Sequence, residues 1–339
     1  MKKEILIFSK YFGYNVGGAE RSMFELLRLK EKEGFAITVL IVENVKSFKA
    51  QKFKVSFPPT WKLKYIRLKY DYIRFTYLQY FLNKKNIVQI FQNLPEYYEL
   101  WTYGYYAPIA INNYSGKSKY FVRDEFGLGW NRNYYTGFKY LAKKLYLTIE
   151  NYWYKKWKRE LLIALDSAKL VANSYFIANE LKKISRSNSV EILHSNVNSQ
   201  RLISEYNNLK SFGLRKGIVI IGDNILKGSE IIRPLSRMFP RTPFYIFDRK
   251  NTKIKQNKNI YYMPWQTTST GAYAYAKLVL VPSKWAEAFP RVIIEAQILG
   301  IPVIASSNGG NPEAIINKSN LVINFGDIYE WKKKIECFI

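Results

Sequence analysis

Two glutamates carry the strongest chemical signal in the chain. The stretch from Val281 to Ala314 reads VPSKWAEAFPRVIIEAQILGIPVIASSNGGNPEA. It spells a strand ending at Pro282, a loop from Ser283 to Phe289 and a helix opened by Pro290 and stopped by Gly300; a strand, a loop and the start of another helix follow. Glu287 lies in the loop just before the first helix, and Glu295 lies on it, more than one turn further in. A helix N-terminus at the carboxyl ends of parallel strands is a ready anion site, so two carboxylates reach one ligand there at different depths. A lone glutamate would read as a solvated surface residue; the frame around this pair argues for a site. A second signal stands near the start of the chain, where Gly17, Gly18, Ala19, Glu20, Arg21 and Ser22 separate the first strand from an amphipathic segment running to Gly34. Glycines there let backbone approach a phosphate closely, and the helix behind them favours negative charge. Alone, a Gly-Gly at such a turn is more often just a tight turn.

Holding these residues takes an α/β framework. Short apolar runs alternate with longer segments of helical period. Strands are expected at Ile5 to Phe8, Ala36 to Val42, Ile87 to Phe91, Tyr120 to Arg123 and Leu170 to Asn173. A second series is expected at Ile218 to Ile221, Phe244 to Phe247, Ile260 to Met263, Leu278 to Val281, Pro302 to Ala305 and Leu321 to Ile323. Most are nearly continuous apolar runs, as parallel strands covered on both faces require. Two series imply two doubly wound domains, divided between Lys183 and Lys216 where Ser, Asn and Lys cluster. The expected domains are 1–192 and 193–327, with 328–339 as a short C-terminal helix that either crosses back to the first domain or is absent. Trp61 to Lys85 and Asn133 to Arg159 interleave basic residues with Tyr, Phe, Trp and Leu. They read either as helices packing an aromatic face on a sheet with lysines solvated, or as interfacial surfaces for an anionic membrane.

Composition narrows the function classes. The 339 residues, 48% hydrophobic and 23% charged, support about two globular domains. Lys plus Arg number 53 against 26 Asp plus Glu, a formal charge of +27, so the surface seeks anions: nucleic acid, lipid headgroups or phosphorylated small molecules. No zinc, recombinase or RNA-recognition motif explains the charge, and nucleic acid is the less expected partner. The one cysteine, Cys337, forms no internal disulfide and points to a reducing, cytoplasmic compartment, peripheral on a membrane if the basic-aromatic segments dock there. The one histidine, His194, excludes His-rich metal sites and HExxH chemistry. No run approaches the roughly 20 apolar residues of a membrane-spanning helix, and Ile5 to Phe8 is too short for a secretory leader. No Asp-x-Asp pair stands at a strand end, no complete P-loop is present, and no Gly-x-Gly-x-x-Gly follows the first strand.

The frame around Glu287 and Glu295 resembles the family 4 retaining glycosyltransferases of the GT-B fold. Their hallmark is a glutamate pair separated by seven residues, then a small-Gly-x-Pro-Val strand and a Gly-Gly-x-Pro-Glu loop, matched here by Gly300, Pro302, Gly309, Gly310, Pro312 and Glu313. The resemblance implies two Rossmann-like domains facing across a cleft and transfer of a sugar, with retained configuration, from a nucleotide diphosphate sugar to an acceptor hydroxyl. No cofactor and no metal are implied, and no covalent nucleophile is assigned, because the family is thought to react on one face. It places Glu287 on the transferred sugar, Ala288 and Phe289 beside sugar and phosphate, and Glu295 on the ribose; Pro290 has no N–H to donate. It sets Gly17 and Gly18 towards the donor diphosphate, and Lys227, in a Lys-Gly at a helix start, on the diphosphate itself. The usual Gly-Arg before that lysine is replaced by Gly222, Asp223 and Asn224, so one expected cation is missing; Arg291 is a candidate substitute. In YFVRDE, Arg123 occupies the family's histidine place, and Asp124 is either a base that orients the acceptor hydroxyl or a helix N-cap. The acceptor is expected to be a glycan or lipid-linked molecule held by the N-terminal half. The alternatives are a nucleotide-sugar epimerase, a phosphorylase, and a non-enzymatic nucleic-acid or membrane-binding protein on the same scaffold.

Overall fold

The apolar runs fold as parallel strands buried between helices. The computed structural model describes residues 3–14, 17–43, 56–96, 98–125, 127–130, 132–187, 189–210, 216–265 and 268–339. It divides into two units, Met1–Asn196 and Val197–Ile339. Residues 211–215 of the expected linker, and 266–267 of the loop after Met263, lie outside the described residues.

The first unit runs β1 (Glu4–Phe8), α1 (Gly18–Lys32), β2 (Ala36–Val42), β3 (Lys62–Ile66), α2 (Thr76–Gln92), β4 (Tyr98–Thr102), α3 (Ala107–Asn112), β5 (Ser118–Val122), α4 (Gly137–Ser167), β6 (Lys169–Ala172), α5 (Tyr175–Lys182) and β7 (Val190–Ile192). Its strands are parallel in the order β3-β2-β1-β4-β5-β6-β7. The direction of winding therefore reverses between β1 and β4, which opens a crevice at their carboxyl ends.

The second unit runs α6 (Ser199–Lys210), β8 (Gly217–Ile221), α7 (Ile232–Met238), β9 (Phe244–Asp248), β10 (Lys255–Asn257), β11 (Ile260–Pro264), α8 (Thr270–Tyr273), β12 (Ala276–Val281), α9 (Arg291–Ile298), β13 (Val303–Ser306), α10 (Asn311–Ala314), β14 (Leu321–Val322) and α11 (Ile328–Glu336). The sheet order is β10-β11-β9-β8-β12-β13-β14, antiparallel only at β10. The reversal falls between β8 and β12, the strands whose following loops carry Lys227 and Glu287. Two apolar clusters cover the faces of this sheet, one around Tyr273, Ile293 and Ala296 and the other around Leu235, Phe244 and Trp331.

The sequence expectations need correction in the first unit. Ile87 to Phe91 is not a strand: both residues lie one turn apart on the buried face of α2. The strand beside β1 is β4, where Glu99 interrupts the apolar run and pairs with Lys119 of β5 at 2.9 Å. The segment from Trp61 opens as the edge strand β3, with Lys62 and Lys64 exposed, before α2 begins. Charged lysines suit a strand with one unpaired edge. The C-terminal helix is present, within the second unit: Trp331 and Ile335 of α11 are fully buried among Leu235, Ile304 and Val322. Trp331→Ala should therefore lower stability in denaturant unfolding by about 3–5 kcal/mol. Tyr329→Ala, at a position 72% exposed on the same helix, should stay within about 0.5 kcal/mol of wild type.

Candidate functional site

In the second unit the loops after β8 and β12 meet at one charged pair. The Lys227 ammonium contacts Glu287 Oε1, and Ser283 Oγ donates to the same oxygen at 2.5 Å. Glu287 is only 6% exposed. Burial alone would raise its pKa; the Lys227 charge and the bonds from Lys227 and Ser283 outweigh burial and hold the carboxyl below the usual glutamate range. Lys227 also lies 5.3 Å from the Trp285 ring centroid, within cation–π reach. A small hollow lined by Ile221, Lys227, Ser283, Glu287 and Pro290 opens beside the pair.

Backbone packing sets this geometry. Gly228 adopts φ +72°, and a Cβ there would stand 1.7 Å from the Pro282 carbonyl oxygen, so only glycine admits the contact that brings the Lys227 turn against the end of β12. Gly309, at φ +62°, leaves no room either: its Cβ would meet Glu287 O at 2.3 Å. Gly310 N donates to Glu287 O at 2.6 Å. The Gly-Gly loop thus clamps the Glu287 and Ala288 backbone from above. Ser306 Oγ and Asn308 Nδ2 donate to Ser283 O at 2.6 and 2.9 Å and fix the start of the same loop.

Glu295 stands deeper and is fully engaged. Arg291 Nε donates to its Oε1 at 3.1 Å, and Tyr273 OH to its Oε2 at 2.9 Å; both charged side chains are at most 10% exposed. Arg291, expected as a spare cation, is thus committed to Glu295. Pro290 is the N-cap of α9 rather than its first residue. Ala288 is buried, and Phe289 packs against the apolar cluster around Ile293. Asp223, which replaces the expected arginine, binds Lys250 Nζ at 2.7 Å, and its amide donates to Asp248 Oδ2 at 2.8 Å. A cation therefore stands beside this loop after all, supplied from the end of β9.

The first unit gathers its own polar residues at the carboxyl edge of its sheet. Gly17 caps α1, and Gly18 is its first residue. Arg123, just past β5, is 7% exposed with its guanidinium 5.5 Å from the Phe121 ring. Asp124 Oδ1 accepts from Gly127 N at 3.1 Å, closing a turn; it caps no helix, since α4 begins at Gly137 behind Thr136. Tyr103, just past β4, is buried, and its phenol pKa is pushed well up, first by burial and then by Glu20; Ser9 and Arg123 oppose the rise. Lys10, just past β1, pairs with Asp71 at 2.5 Å and donates to Gln79 Oε1 at 2.6 Å, with the rings of Tyr11, Tyr105 and Tyr106 within 6 Å. Tyr103, Lys10 and Lys250 were not singled out from the sequence; the available signal was a polar side chain within two residues of the end of a strand. Among the described residues no three His, Cys, Asp or Glu side chains gather as a metal site would need.

Because the pKa of Glu287 is depressed in the folded state, its charge stabilises the fold above the ordinary glutamate pKa. That contribution is lost as pH falls through the lower folded value. Glu287→Gln should accordingly cost about 2 kcal/mol at neutral pH, and its deficit should shrink in acid. Urea unfolding across that range checks this; a deficit constant with pH would mean that the fold does not hold Glu287 ionised.

Residues 249–339 match the family model described as glycosyl transferases group 1. An uncharacterized 41.2 kDa protein in the cps region of Klebsiella pneumoniae is 24% identical over 192 residues, 55% of this chain. The match covers about half the length of that relative, 50%. Among solved structures, sucrose-phosphate synthase from Thermosynechococcus elongatus superimposes with a TM-score of 0.73 at 12% identity, over 99% of this chain and 89% of that one. Anabaena Alr3699/HepE in complex with UDP-glucose gives 0.67 at 15% identity, over 98% and 89%. A glycosyltransferase from Rickettsia africae gives 0.61 at 18% identity, over 99% and 88%. Residues 249–339 thus match the model of the group 1 glycosyl transferases, and the chain as a whole shares the GT-B fold of these solved structures.

Proposed function

We propose that the protein is a metal-independent, retaining glycosyltransferase that moves a sugar from a nucleotide diphosphate sugar to a hydroxyl of a lipid-linked or membrane-proximal glycan. The observation that carries this reading is the buried, ionised Glu287 held by Lys227 and Ser283 where the winding of the second sheet reverses. A carboxylate kept charged away from water is a strong acceptor for sugar hydroxyls, and the lysine beside it suits the diphosphate.

In the reaction the bond from the sugar's anomeric carbon to the phosphate oxygen breaks, and a bond to the acceptor oxygen forms on the same face. The acceptor's proton passes to the departing phosphate. Lys227 stabilises the charge that grows on that phosphate, and Glu287 fixes the sugar. Glu295 binds the ribose, with Arg291 and Tyr273 setting its orientation. The acceptor is held by the N-terminal unit, at the carboxyl ends of the neighbouring strands β4 and β5, which Tyr103 and Arg123-Asp124 follow. A uridine donor is supported by the Alr3699/HepE structure with UDP-glucose, and a role in polysaccharide assembly by the relative in a cps region.

The test is a thermal-shift panel of UDP, GDP, ADP, dTDP and their sugars, since a ligand of the folded state raises its apparent stability. One nucleotide should raise the midpoint, and Glu295→Ala should abolish that rise. With that donor, Glu287→Ala should lower kcat by about 100-fold or more, EDTA should leave the rate unchanged, and the product should keep the donor's anomeric configuration. Full activity in Glu287→Ala would refute the assignment; donor conversion without transfer to an acceptor would point to an epimerase. Stabilisation by oligonucleotide alone would replace the enzyme reading with a binding protein.

A further inference from the structure

Helix α4 is apolar on two opposite faces, and one of them is bare. The inner face buries Trp157, Leu161, Ala164 and Leu165 and packs on α2 and α3. The outer face presents Phe138, Leu141, Leu145, Ile149 and Tyr152, spaced so that 3.6 residues per turn aligns them in one stripe. Phe138 is 84% exposed, and Leu141 and Leu145 are 61% and 63% exposed. Continuing the same spacing, the stripe passes into Lys156 and Arg159, both exposed. Lys139, Lys144 and Lys155 lie on the exposed surface of the same helix. No acid occurs between Gly137 and Ile149, and Glu150 points inward to accept from Tyr77 N at 2.8 Å.

Five large apolar side chains in a row on solvent mark an interaction surface. The lysines decide the partner. A second copy would bring the same positive charge face to face, whereas an anionic leaflet offers hydrocarbon for the stripe and phosphates for the ammonium groups. Among the described residues no helix is long and apolar enough to cross a membrane, so the contact lies in the plane of the surface. We propose that this face of α4 docks on an anionic lipid bilayer. None of these residues belongs to the clusters described above, so the surface stands independently of the sugar-transfer reading.

The test is co-sedimentation of the full chain with phosphatidylcholine vesicles, with and without phosphatidylglycerol. Wild type should bind the anionic vesicles at low salt, and bind less as salt rises. The double variant Leu141→Asp, Leu145→Asp should bind about tenfold less or worse. It should keep the wild-type thermal midpoint, because both positions are exposed. Ile316→Asp, on an exposed residue of the second unit, should bind as wild type does. Undiminished binding by the double variant, or no binding of wild type to anionic vesicles at low salt, overturns the proposal. So does a wild-type dimer that the double variant dissolves, which would assign the stripe to a second copy.

Discussion

A carboxylate withdrawn from water stays charged only if the protein replaces what water supplied. For Glu287 the replacement comes from separate stretches of chain: Lys227 from the loop after β8, Ser283 from the end of β12, and the Gly-Gly loop after β13 that fixes the peptide. These three strands are neighbours in the sheet. The strand order is therefore a condition for the charge, and the glycines are a condition for the loops to close on it. A side chain at Gly228 would push the Lys227 turn off Pro282, and one at Gly309 would push the Gly-Gly loop off the Glu287 backbone.

This dependence explains why the second unit was the more legible in sequence. Its strands carry short unbroken runs such as GIVII and LVLV, and its site residues are spaced by glycines and prolines whose roles are steric and local. What could not be read there was long-range pairing. Arg291 and Glu295 stand at i,i+4 on α9, but nothing in the order of residues couples Asp223 to Lys250 or Tyr273 to Glu295; those contacts follow from which elements the sheet brings together.

The first unit was harder for a related reason. Its aromatic content blurs the distinction between periods, because Tyr and Trp serve equally on a strand, a helix face or a rim. IVQIF reads as a strand but forms one turn of α2, while YELWT hides a central strand behind one glutamate that finds a lysine on the next strand. Helix α4 shows the limit of a single-face reading: apolar on both sides, it has no clear amphipathic signature even though each side is distinct in the fold. The Gly17-Gly18 turn at the start of α1 and the YFVRDE run along β5 were legible as local patterns, whereas the burial of Tyr103 just past β4 was not.

The pairing of Lys227 with Glu287 has a consequence for selectivity. A site that carries its own counter-ion does not attract anions as a bare cation would: an incoming diphosphate must compete with a carboxylate already in place. Drawing the ammonium towards phosphate leaves the carboxylate short of a partner in a dry setting. Only a ligand that carries hydroxyl groups along with its phosphates makes good that loss. On the proposed reading, the exchange disfavours inorganic phosphate and spent nucleotide relative to the intact sugar donor, so the Lys227–Glu287 pair favours release of the leaving diphosphate.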